Sequence, residues 1–69
     1  MSQESRILDY LAKNGSITQL DAMNDLGVMR LGARVYDLKE HGHNIVTVMV
    51  EDVNRYGELT RYARYYLKG

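Results

Sequence analysis

The chain has 69 residues, nine basic and nine acidic side chains, and neither cysteine nor proline. That length allows one domain with one small core and leaves little room for a catalytic cleft of ordinary volume. The absent cysteines exclude disulfides, thiolate metal sites and cysteine nucleophiles. The longest apolar run, Ile45 to Val50 with Thr47 inside it, is too short to cross a bilayer and offers no signal-peptide core. An intracellular domain held together by packing alone is expected.

In chain order, Ser2 reads as an N-cap for a first helix over about residues 3–14, with Gln3 and Glu4 in its first turn. Ile7, Leu8 and Leu11 form its apolar face, which Tyr10 or Ala12 widens; Asn14-Gly15 ends it. Asp9 and Lys13 stand in the favourable i, i+4 order. Ser16-Ile17 is a brief extended link in which Ile17 turns inward and pairs as a minimal strand. Thr18 and Asp21 form a capping box opening a second helix over about residues 19–26, with Leu20, Met23 and Leu26 as inward candidates. Gly27 closes it.

The organising stretch follows, from Gly27 to Gly42. Leu31, Val35 and Leu38 recur at helical spacing, which predicts a third helix over about residues 30–41 with one narrow apolar stripe. Met29, Ala33, Tyr36 and Glu40 fall on the opposite side, with Arg30 and Asp37 beside them. So short and narrow a helix does not stand alone; it must be propped, which leaves its far side free. Beyond Gly42 the period changes to two. The β-branched run at about residues 44–51 reads as a strand, residues 51–58 as a polar turn, and residues 59–67 as a second strand, roughly by the strand signals of composition and alternation. A helix over the last segment is the alternative, because Leu59, Tyr62 and Tyr66 also have helical spacing. In the strand reading Leu59, Ala63, Tyr65 and Leu67 face the helices, with Arg61 uneasily among them. Helix, short strand, helix, helix, strand, strand is the order of an α+β winged helix-turn-helix: three helices, then a C-terminal β-hairpin whose loop is the wing.

The segment from Ile17 to Ile45 resembles a family of small helix-turn-helix domains found mostly in bacteriophages and prophages. The matching positions are Ile17-Thr18, Ala22, Leu26-Gly27, Arg30-Leu31, Ala33-Arg34, Asp37-Leu38, Gly42-His43 and Ile45, with Val35 in place of the usual isoleucine. The resemblance implies DNA binding, and a phage or prophage regulatory protein in the cytoplasm of the host bacterial cell is the expected role. Its partner is then double-stranded DNA, with the third helix in the major groove.

On that reading Arg30, at the helix start, reaches a phosphate or a guanine edge. Met29 or Ala33 meets a thymine methyl, Tyr36 bonds a phosphate, and Arg55 in the wing lies over an adjacent groove. Arg34 either joins them or pairs with Asp37 or Asp21. Gly32 suggests close approach, to the second helix or to a DNA backbone. Arg61, Arg64 and Lys68 add phosphate contacts or guard an exposed strand. Net charge is zero, but residues 1–28 carry −2 and residues 53–69 carry +3, so the basic character gathers toward the hairpin. Charge neutrality and the acidic neighbours of Arg55 favour a rival: a module that binds a host protein on the same scaffold. The tyrosine-rich last strand is a candidate contact between two subunits. His41 and His43 lack further ligands for a metal, no cofactor motif is present, and no nucleophile motif stands out. Enzymatic activity is not expected.

Overall fold

A computed structural model describes residues 2–68. Helix α1 spans Gln3–Asn14 and starts as its capping residue dictates: the Ser2 hydroxyl accepts from the Ser5 amide, and Gly15 ends the helix in the left-handed region. Ile7 and Leu11 are buried, Leu8 and Tyr10 pack against the core from its rim, and Ala12 stays exposed. Lys13 and Asp9 pair at 3.1 Å on the solvent side.

Strand β1 (Ser16–Thr18) buries Ile17 completely. Helix α2 (Gln19–Asp21) opens with a full capping box between Thr18 and Asp21. It then widens into a π-helical turn, Ala22–Leu26, which Gly27 closes at φ 70°. The widening changes which side chains point inward. Leu20 and Met23, expected in the core, are 66% and 42% exposed; Leu26 packs only at the rim, and Ala22 and Val28 are the fully buried residues here. A π turn spends one more residue per hydrogen bond than an α turn, so an inward set chosen by α spacing does not carry through it to Met23; Leu20 stands ahead of the turn. The amides of Gly27 and Val28 both donate to the Ala22 carbonyl, the latter at 2.9 Å. This folds Val28 back under the second helix.

Helix α3 spans Leu31–Glu40, with Arg30 and His41 as its flanking caps rather than members. Leu31, Val35 and Leu38 are buried as their spacing requires. With Ile7, Leu11, Ile17, Ala22, Val28 and Ile45 they form one apolar cluster. The chain then reverses at Gly42, whose φ of 94° only glycine adopts readily.

The C-terminal segment is a hairpin, not a helix. Strands β2 (Ile45–Val53) and β3 (Leu59–Leu67) pair antiparallel over nine consecutive positions, from Ile45 opposite Leu67 to Val53 opposite Leu59. Strand β2 thus runs two residues further than its composition suggested, and the turn shortens to Asn54–Glu58. Strand β1 pairs with the other side of β3 at Arg64 to Tyr66, giving the order β1-β3-β2. The helices cover only the near end of this sheet. Ile45 is buried and Tyr65 and Ala63 are half-buried. Leu59, expected to face the helices, is 62% exposed, and Leu67 is also exposed. Strands of nine residues reach roughly 30 Å, further than helices of ten to twelve residues lying across one end extend.

Candidate nucleic-acid interface

The entrance to α3 lacks a residue of the capping type. Arg30 occupies the N-cap position with φ −126° and ψ 68°, and its side chain makes no capping bond. The missing acceptor comes from the second helix. Gln19 Oε1 accepts from the Leu31 amide at 2.8 Å, and Gln19 Nε2 donates to the Val28 carbonyl at 3.0 Å. One side chain therefore grips both ends of the turn, while buried Val28 anchors its middle. Sequence reasoning passed over both residues. The available signal was negative: Val28, Met29 and Arg30 include no Ser, Thr, Asp or Asn to satisfy the first amides of a helix, so an acceptor had to come from elsewhere.

This clamp presents Met29 and Arg30 to solvent. Met29, Arg30 and Arg34 line one open depression together with Gln3 and Gly27. Among the described residues, Arg30 makes no salt bridge and no side-chain hydrogen bond. Arg34 does: it pairs with Asp37 at 3.4 Å, both groups about 40% exposed, an arrangement worth little in stability. The other partner considered, Asp21, is occupied, since its carboxylate accepts from the Thr18 amide at 3.1 Å. Ala33 is half-buried and Tyr36 exposed on the outer side of α3. Gly32 is not wedged against the second helix. A Cβ there would meet only the Tyr65 hydroxyl, at an ordinary 3.6 Å.

Arg55 stands apart from that depression, at the far end of the hairpin. Asn54 builds the loop that carries it: its side-chain oxygen accepts from the Tyr56 amide at 2.9 Å and the Glu58 amide at 3.1 Å. Gly57 takes the left-handed position. The Arg55 guanidinium lies 6.0 Å from the centre of the Tyr56 ring. The remaining hairpin arginines are engaged locally, Arg61 with Glu51 at 2.8 Å and Arg64 with the Ser16 hydroxyl at 2.9 Å. Elsewhere in the helical base, the Tyr10 hydroxyl donates to Asp25 at 3.0 Å and ties α1 to the π turn. Desolvation, with that hydrogen bond second, raises the Tyr10 pKa above its ordinary value, so the phenol keeps its proton and continues to donate.

Two helices joined by a clamped turn, a third behind them and a hairpin alongside define a winged helix-turn-helix, a class of typically non-enzymatic DNA-binding modules. The family model described as a winged helix-turn-helix domain matches residues 2–69, and the chain belongs to that family. No curated protein matches the chain.

Proposed function

We propose that this domain binds double-stranded DNA in a sequence-dependent manner, with α3 in the major groove and the hairpin as wing. On this reading it serves as a regulatory protein of a phage or prophage, in the cytoplasm of the host cell. The observation that carries the reading is the state of Arg30: an unpaired, exposed guanidinium at the entrance of α3, on a backbone fixed from behind by Gln19. The first residues of a recognition helix are those nearest base edges, and a guanidinium matches the paired acceptors of guanine. Met29 and Ala33 supply apolar contacts suited to a thymine methyl, and Tyr36 a phosphate donor. Arg34 is shared with Asp37 and contributes less. Arg55 gives the wing tip a cation that, among the described residues, makes no salt bridge. The phage assignment rests on the resemblance of residues 17–45.

The test is a fluorescence-polarisation titration against a mixed pool of duplex DNA at several salt concentrations. A neutral chain with two or three free cations should give a shallow salt dependence, a log–log slope of about −2 to −3. Arg30→Ala should weaken binding roughly tenfold while leaving the melting temperature nearly unchanged. Absence of binding at low salt overturns the proposal. A large loss of stability in Arg30→Ala would make that residue structural and remove the observation on which the reading stands.

A further inference from the structure

The outer edge of β2 is open along all nine residues, because β2 pairs only with β3 among the described residues. Exposed edges are normally blunted by charged side chains, lysine above all, by proline, by a bulge or by a short strand. Strand β2, IVTVMVEDV, has no proline, no lysine and no break in its register with β3, and its two charges, Glu51 and Asp52, stand near its far end, so Ile45 to Val50 is an uncharged edge. The same hairpin carries a second anomaly. Met49, Val53 and Leu59 lie on the sheet face that holds Ile45 and Tyr65, yet beyond the reach of the helices they are 62%, 60% and 62% exposed.

We propose that β2 pairs antiparallel with β2 of a second copy of this chain, about a two-fold axis through Met49. This is the register that uses the whole strand: Val48 faces Val50, Thr47 faces Glu51, Val46 faces Asp52 and Ile45 faces Val53 of the other copy. Opposed residues then share a face, as an antiparallel sheet requires. The charges also agree. Lys39 Nζ lies 3.5 Å from the Thr47 hydroxyl, so the pairing brings it over Glu51 of the second copy, as a second cation beside the Arg61 that already pairs with that carboxylate at 2.8 Å, twice by symmetry. The far half of each hairpin comes to lie beside the helices of the other copy, which gives Met49 and Val53 the apolar neighbours they lack. The contact is isologous and closes as a dimer. It also differs from a dimer through the last strand, since β3 is central in the sheet and is flanked on both sides at Arg64 to Tyr66. The seam involves no nucleic acid, so its test runs without DNA and is independent of the function proposed above.

Because the chain has no cysteine, Met49→Cys introduces a single thiol. Across the axis the two Cβ atoms stand about 4.5–5.5 Å apart, close enough for a disulfide after a small shift. Mild oxidation should therefore give a covalent dimer with Met49→Cys and little with Val53→Cys, which faces Ile45. Sedimentation of the unaltered chain should show a concentration-dependent dimer. Met49→Lys, which sets like charges against each other at an exposed position, should raise its dissociation constant at least about fivefold without lowering the melting temperature of the dilute, monomeric chain, and Lys39→Glu should act in the same direction. A chain that stays monomeric at millimolar concentration overturns the proposal. So does a dimer that fails to cross-link at position 49, or one that cross-links equally well at position 53.

Discussion

The near and far ends of the hairpin share one ladder of backbone hydrogen bonds and differ in almost everything else. At the near end Ile45 is buried against α3, Tyr65 packs on the core, and β1 adds a third strand. At the far end Met49, Val53 and Leu59 stand in water on the same face, and polar contacts such as the Glu51–Arg61 pair stay exposed. Stability is therefore concentrated where three helices meet the base of the sheet. The far end is held by register and by the Asn54 turn, and its side chains are left available for other surfaces. The clamped entrance of α3 lies between these extremes: its backbone is fixed and its side chains Met29 and Arg30 are free.

The largest effect expected is at the core. Leu31 is fully buried at the first turn of α3, so Leu31→Ala should lose about 2–5 kcal/mol. A domain of this size has a total stability of roughly 3–10 kcal/mol. Denaturant titration should find the variant largely unfolded or close to it. A loss as small as that of an exposed leucine would show that the helical base is not where the stability resides.

A smaller effect of opposite sign is expected one residue later. Gly32 has neither a left-handed φ nor a crowded neighbour, since an added Cβ meets only Tyr65 Oη at 3.6 Å. Gly32→Ala should stabilise the fold by up to about 1 kcal/mol through helix propensity. A drop in melting temperature would mean that the space beside Tyr65 is needed by the fold. Smaller still is the change expected at the far end, where Leu59→Ala should stay within about 0.5 kcal/mol. A loss approaching that of Leu31→Ala in dilute solution would contradict the contrast between the two ends. A loss that grows with protein concentration would point to burial of the far end between copies.

Much of this division was legible in the residues. Ser2, Thr18 with Asp21, Gly15 and Gly27 mark helix ends by local chemistry, and the structure uses each in that way. Leu31, Val35 and Leu38 sit at α spacing on a regular α-helix, so periodicity located their burial. It failed at Leu20, which stands ahead of the π turn in an open pocket with Asp52 and Tyr62 of the hairpin. It failed at Met23 because the second helix turns π at Ala22, and no composition signal announces that change of pitch. Val28 was missed for the same reason: it lies outside any periodic run and is drawn inward by the bond from its amide to Ala22. Leu59 was misplaced because alternation reports which face a residue is on, and not whether helices extend far enough to cover it. Of the proposed contact residues, Met29, Arg30 and Arg34 come together around one depression, whereas the clamp from Gln19 depends on a contact twelve residues away in sequence.

The smallest effect expected is a matter of pH, and it concerns the rim of the helical base. Tyr10 is half-buried and its hydroxyl donates to Asp25. Desolvation first, then that hydrogen bond and the nearby carboxylates, raise its pKa above 10.0 in the folded chain. The folded state thus holds the phenolic proton more tightly than the unfolded state does. The resulting contribution to stability is fully present below about pH 10, the unfolded value for tyrosine, and is lost as pH rises through the raised folded value. Deprotonation would set a phenolate against the Asp25 carboxylate at the junction of α1 and the π turn. In Tyr10→Phe this pH dependence is absent. Urea titrations of both proteins at pH 8 and on either side of pH 10 should therefore show the unaltered chain ahead at pH 8 and its advantage shrinking above pH 10. An advantage that stays constant across that range would mean that the Tyr10–Asp25 bond does not distinguish the folded from the unfolded chain, and that α1 is held to the second helix by its other contacts, the buried Ile7 and Leu11 and the bond from the Arg6 guanidinium to the Leu26 carbonyl at 3.4 Å.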